Sequence, residues 1–107
     1  MIGYLYIDNN IIGEADFKVI DETMGVIGGD FIAYAHYENY RSQIQNRYDV
    51  QGIANVDDLN FSVITENGLK LEPEGGIGII DSRMFEGMYV EVAGLDRAII
   101  EAVTMQH

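Results

Sequence analysis

Histidine occurs at two positions, His36 and His107, and cysteine at none. A Ser–His–acid triad would have to use His36, the one internal histidine, and a histidine metal site would need ligands of other types beside it. His36 stands between Ala35 and Tyr37 in a segment of helical periodicity, where a surface or capping role is expected rather than catalysis. The lack of cysteine excludes thiolate nucleophiles, Cys-ligated zinc, iron–sulfur clusters and a disulfide framework, and it fits a reducing compartment. Carboxylates are the abundant reactive type: 18 Asp and Glu stand against 6 Lys and Arg, for a formal net charge of -12. In so acidic a chain some pair always lies at an acid–base separation, so no pair singles itself out. Asp8-x-Asn10-x-Ile12-Gly13 begins like a calcium loop but places Ile12 and Val19 where oxygen ligands are required. Asp57 and Asp58, between Asn55 and Asn60, form an oxygen-rich patch, either a weak cation site or, as the ordinary reading, a solvated loop. Gly25-Val26-Ile27-Gly28-Gly29 lacks dinucleotide-binding spacing, and Gly75-Gly76-Ile77-Gly78 leads into a strand rather than a helix, so neither cradles a phosphate. The sequence therefore predicts no enzyme, no catalytic residue, no metal and no cofactor.

The charge selects among partners. A surface this acidic repels phosphate backbones and anionic lipid at neutral pH, so neither nucleic acid nor membrane is expected, and a basic protein is the favoured macromolecular partner. No apolar run reaches the roughly 18 residues of a membrane span. The stretch Met1 to Asp8 lacks a basic n-region, which predicts a cytoplasmic protein. Loops concentrate function on a rigid scaffold. The acids read as lying in loops and turns are therefore the candidate partner contacts: Asp21, Glu22, Asp57, Asp58, Glu72, Glu74, Asp81 and Glu86. Tyr34 joins them, because it lies at a helix start and can point away from the core. Tyr34, Tyr37, Tyr40 and Tyr48 load one segment. Either they pack it on a sheet with hydroxyls at the rim, or they form a tyrosine-plus-acid binding face.

The elements that must hold these residues follow from periodicity. The 107 residues read as a single domain over 1–107. Gly3 to Ile7 is a strand, Asp8-Asn9-Asn10 a turn of residues that tolerate left-handed backbone, and Ile12 to Ile20 a second strand. In that strand Ala15, Phe17 and Val19 share one face, and Glu14, Asp16 and Lys18 the other. Met24 to Ile32, with three glycines, reads as a bent or bulged strand. Residues 34–48 are the main helix: Tyr37, Tyr40, Ile44 and Tyr48 fall on one stripe, and Gly52 marks its end. Asn60 to Thr65, Leu69 to Glu72, Ile77 to Asp81 and Met88 to Ala93 are strands, the first two joined by Glu66-Asn67-Gly68 as a type I′ hairpin turn. Residues 96–105 read equally as a short C-terminal helix or a last strand, since Ile99, Ile100 and Val103 are β-branched. The expected fold class is α+β, an antiparallel sheet of five to seven strands packed on one main helix.

Phe17 to Gly29 and Pro73 to Asp81 are similar to segments of small bacterial proteins of no assigned role. The compact, acidic, Cys-free chain as a whole resembles immunity proteins of bacterial toxin–immunity systems, such as those of contact-dependent growth inhibition. What the resemblance implies is an inhibitor of a toxin domain: carboxylates standing where phosphates would sit occlude the basic cleft of a nuclease. Two alternatives stay open. One is a binding or assembly module, which leaves room for a homodimer, whose acidity serves only solubility. The other is a small ligand-binding domain or enzyme built around a sheet–helix cavity.

Overall fold

The chain begins with two strands, β1 (Ile2–Ile7) and β2 (Asn10–Asp16), paired antiparallel. Asp8 and Asn9 between them both take positive φ, 50° and 74°, the left-handed pair that the turn residues predict. The computed structural model describes residues 1–55, 59–84 and 86–105. β3 (Lys18–Asp21) continues the line of β2. Both pair with β4 (Val26–Ala33) in one register, Ala15 opposite Phe31 and Lys18 opposite Gly28. The interruption is at Phe17, whose N–H turns to the Met1 carbonyl (2.8 Å) while its ring is fully buried. Across from it, a Cβ on Gly29 would stand 2.4 Å from the Asp16 carbonyl oxygen, so only glycine permits this close approach. The bulge in this pairing lies further on, where the register shifts between Val19 and Asp21 opposite Ile27 and Val26.

The remaining strands are β5 (Ala54–Asn55), β6 (Phe61–Thr65), β7 (Gly76–Asp81) and β8 (Met88–Ala93). The sheet runs in the order β5-β7-β8-β4-β2-β1-β6, with β3 also on β4, and every named pairing is antiparallel. It curls until β6 approaches β7. Period-two alternation then sorts the side chains, except at a bulge in β2, where the register with β1 shifts between Leu5 and Tyr6 and Ile12 turns inward beside Gly13. Leu5, Ile7, Ile12, Ala15, Phe31, Val63, Ile79, Val90 and Val92 fill the interior.

Two differences from the sequence reading concern how segments are wound. The helix expected over 34–48 is a 3-10 turn, Ala35–Asn39, followed by α1 (Arg41–Gln51). The apolar stripe survives because its spacing matches both windings: three residues from Tyr37 to Tyr40, then four to Ile44 and four to Tyr48. Tyr37 and Ile44 are fully buried, Tyr40 and Tyr48 half-buried, and Gly52 ends α1 at φ 83°. The loop after β6 is not a type I′ turn. Gly68 alone has positive φ (85°), Gly68 N–H donates to Thr65 O (2.8 Å) and Thr65 N–H to Leu69 O (2.8 Å), a type I turn closed by a glycine bulge. The return stretch is not a full strand: it holds β6 by the Leu69–Thr65 bonds, a bridge at Lys70 and the Leu71 N–H on Val63 O.

Residues 97–105 form α2 (Arg97–Met105). Asp96 decides for helix over strand, because its Oδ1 accepts the Ile99 N–H at 3.0 Å and caps the first turn. Ile100 and Val103 then enter the core. α1 rests on β7 and β5, toward the Asp81 end of the β7–β8 hairpin, and α2 rests on β3, where Leu95 N–H bonds Gly25 O at the opposite end. The helices thus cap the curled sheet without covering its outer face.

These assignments predict graded losses in urea unfolding. Gly68→Ala should cost about 1 kcal/mol or more, while Asn67→Ala should cost well under half that; a type I′ turn would make both costly. Asp96→Ala should cost about 1 kcal/mol, and Ile100→Ala about 2–5 kcal/mol.

Candidate protein-interaction surface

The structure separates the candidate contact residues into groups. Asp21 and Glu22 are exposed in the β3–β4 turn, where Asp21 Oδ1 accepts the Met24 N–H at 3.0 Å. Glu72 and Glu74 are exposed in the loop before β7. They line a polar cleft of about 480 Å³ against β6, together with Asn9, Asn60 and Lys70. Backbone bonds from Glu74 N–H to Gly94 O (3.1 Å) and from Leu95 N–H to Gly25 O (3.0 Å) draw these two acidic turns to one end of the sheet. Glu86 is exposed on the β7–β8 connection, at the other end. Asp57 and Asp58 lie outside the described residues.

Asp81 corrects the reading of it as a surface acid. It is the last inward position of β7 after Ile77 and Ile79, and only 3 % exposed. Its Oδ2 accepts the Tyr37 hydroxyl (2.7 Å) and Arg41 Nη1 (3.5 Å), and its Oδ1 accepts Gln45 Nε2 (3.3 Å). Arg41 in turn lies 5.0 Å over the Tyr37 ring and forks onto Glu38, at 3.0 Å from Nε and 2.7 Å from Nη2 to Oε1. A buried carboxylate needs such a full set of donors, so this one ties the helical segment to the sheet and is not free to meet a partner. The Tyr37 hydroxyl is accordingly interior, not at the rim. Burial, and then the hydrogen bond to Asp81, push its phenol far above the ordinary tyrosine value.

Tyr34 does point away from the core, onto the outer face of the sheet. Its hydroxyl donates to Glu14 Oε1 at 2.6 Å. That bond, then burial, then the Glu14 charge raise its pKa to about 12. Strand register builds a surface around this pair. Ile64, Tyr4, Glu14 and Ile32 form one cross-strand row. Asp30, Tyr89 and Ile80 form another, with Gly28 and Glu91 beside it. Ile32 is 61 % exposed. Burial, then the charges of Glu91 and Asp30, push the Tyr89 phenol upward. A groove lined by Ile20, Asp30 and Ile32 carries the face toward Asp21 and Glu22, and another lined by Gly75, Gly78 and Glu91 carries it toward Glu74. Tyr4, Tyr6, Tyr89 and Asp30 escaped the sequence reading of the surface, and Glu14 was read as outward-facing but not as a contact. Their signal was the alternation itself, which sends every second residue of a half-buried strand outward.

Chemically this face sets half-buried tyrosines beside carboxylates. Rigid tyrosines supply amphipathic contact area and the neighbouring acids supply charge. Among the described residues no group of three or more His, Asp or Glu could hold a metal ion. His36 is exposed on the 3-10 turn. No described helix is long and apolar enough to cross a membrane. Comparison of the chain with protein-family models, with curated proteins and with solved structures finds no match.

The buried network sets a pH limit. An unfolded tyrosine ionises near pH 10, whereas Tyr37 keeps its proton in the fold, so the stability this linkage carries is complete below pH 10 and is lost as pH rises above it. Urea unfolding between about pH 8 and 11 should show this decline, with a shallower slope for Tyr37→Phe. Asp81→Ala should cost about 1–3 kcal/mol at neutral pH, because it leaves the buried Tyr37 hydroxyl without its acceptor while Arg41 keeps Glu38.

Proposed function

We propose that the chain is a non-enzymatic acidic inhibitor that binds and occludes a basic protein, acting in the cytoplasm as an immunity protein that neutralises a nuclease toxin. One observation carries this reading. Every acid among the described residues except Asp81 lies at the surface, while Arg41, Arg83 and Arg97 are each paired with a nearby acid: Glu38, Asp49 and Glu101. Those pairs lie on or against the helices. The outer sheet face and the turns of Asp21, Glu22, Glu72 and Glu74 keep an excess of negative charge, and the outer face adds half-buried tyrosines. A basic substrate cleft is drawn to such a surface at long range, and the tyrosines supply contact area once it arrives. Speed of capture is the property that protection from a lethal enzyme demands.

Self-association is supported by one feature, the exposed Ile20 and Ile32 on the outer face. The same face carries Glu14, Asp30 and Glu91, so two copies apposed there would bring like charges together, and this disfavours the dimer.

The test is inhibition of a panel of basic nuclease domains by the wild type and by Glu22→Lys/Glu74→Lys. The double reversal should slow association roughly tenfold at low salt and leave the fold intact. Full-strength inhibition by the reversed variant, or inhibition of no basic domain by the wild type, would count against the proposal. A gene for a large secreted protein immediately upstream would support it, and a metabolic operon would oppose it.

A further inference from the structure

Tyr89 does not stand off the sheet as an outward residue ordinarily does. It lies across β4, over Gly28: a Cβ there would be 2.5 Å from the tyrosine hydroxyl and 2.9 Å from its ring carbons. Glycine at 28 is thus the condition for laying this ring along the surface. Two grooves flank it, and both are bounded by Asp30 and Tyr89. The larger, about 330 Å³, also contains Lys18, which supplies its own positive charge. The smaller, about 230 Å³, contains no basic side chain. It is lined by Tyr48 from α1, by Tyr89 and Met88 from β8, by Ile80, Ser82 and Gly87, and by the two acids Asp30 and Glu86.

We propose that this smaller groove receives the side chain of an arginine presented by the partner, an inference that rests on the reading of that partner as basic. Two aromatic rings and two carboxylates around one recess match the two halves of a guanidinium. Its planar face stacks on a phenol ring, and its N–H edge donates to carboxylate oxygens. Other ligand classes fit less well. A hard metal ion wants several oxygens and no aromatic wall, an anion would meet Asp30 and Glu86, and an apolar side chain would strip water from both carboxylates with nothing in return. Lysine satisfies the charge but lacks the plane and the fork. Glu86, one of the acids singled out by its loop position, thereby acquires a specific task at the opposite end of the molecule from Glu22 and Glu74.

The probe is N-acetyl-arginine amide, titrated into the isotopically labelled full chain and followed by backbone amide NMR, with N-acetyl-norleucine amide as the uncharged control. Saturable shifts should centre on Gly28, Asp30, Gly87 and Tyr89 with the arginine compound and be absent with norleucine. Asp30→Asn and Tyr89→Leu should each weaken binding about tenfold. Tyr89→Leu keeps an apolar cover on Gly28, and Asp30 is exposed, so both variants should fold, as their amide spectra will report. Shifts that spread without saturation over all the acidic turns, or that persist unchanged in both variants, would overturn the proposal. Binding of the same variants to a basic nuclease domain separates the two levels. Unchanged affinity in Tyr89→Leu removes the groove but leaves the basic partner, whereas saturable arginine binding with no basic protein captured retains the groove and removes the reading of function.

Discussion

The close approach of Gly29 to the Asp16 carbonyl is the constraint on which this architecture turns. It lets one strand, β4, pair along β2 and β3 on one side and β8 on the other in a curled sheet, with the β2–β3 line interrupted at Phe17. A flat sheet of these strands would expose Leu5, Ile7, Ile12, Val63, Val90 and Val92. The curl turns them inward, and Phe17 goes with them. Burial of such side chains is worth about 1.5–3 kcal/mol each, so the curl is what converts alternating strands into a core. The same curl fixes the other face. Residues that alternate with the core, Tyr4, Glu14, Asp30 and Tyr89 among them, are gathered on one convex outer surface that the helices leave uncovered.

The helices close the two ends by different physics. α2 inserts Ile100 and Val103, an ordinary apolar contact started by the Asp96 cap. The segment leading into α1 inserts an aromatic ring and a polar set together: Tyr37 edge-on to Phe31 at 5.2 Å between ring centroids, its hydroxyl on Asp81, and Arg41 over its ring. A dry cap would hold the helix as firmly. The buried carboxylate adds direction, because its oxygens accept only from donors at particular places on the 3-10 turn and on α1. Tyr48 is carried on that same α1, so the position of one wall of the small groove beside Tyr89 depends on the Asp81 network.

Much of this was legible in the sequence, for definite reasons. Strands half-buried on one face announce themselves by alternation, and the division of Ala15, Phe17 and Val19 from Glu14, Asp16 and Lys18 is the one the structure adopts. Turn residues placed the β1–β2 connection at Asp8 and Asn9. The outward orientation of Tyr34 was legible from its place before the helix. What stayed hidden was hidden by degeneracy. A tyrosine stripe spaced three, four and four is compatible with a 3-10 turn followed by an α-helix as well as with one helix. Ile99, Ile100 and Val103 suit either a strand or a helix, and a single capping carboxylate breaks the tie. Asp81 looked like a turn acid because Ser82 and Arg83 follow it. Its period relation to Ile77 and Ile79 was the better guide, and it points inward.

Negative charge on this molecule is therefore organised by the fold. One carboxylate is consumed inside, several are matched by arginines near the helices, and the rest are displayed with tyrosines on the curled outer face and its adjoining turns. We propose that this display captures a basic protein by electrostatic steering. Its most direct test is the association rate with a basic nuclease domain, measured by stopped flow across ionic strengths from about 0.01 to 1 M, over which the screening length falls from about 30 to 3 Å. Steering predicts a rate that falls steeply as salt rises while dissociation changes little. A rate indifferent to salt, or no association with any basic domain at the lowest salt, would contradict it.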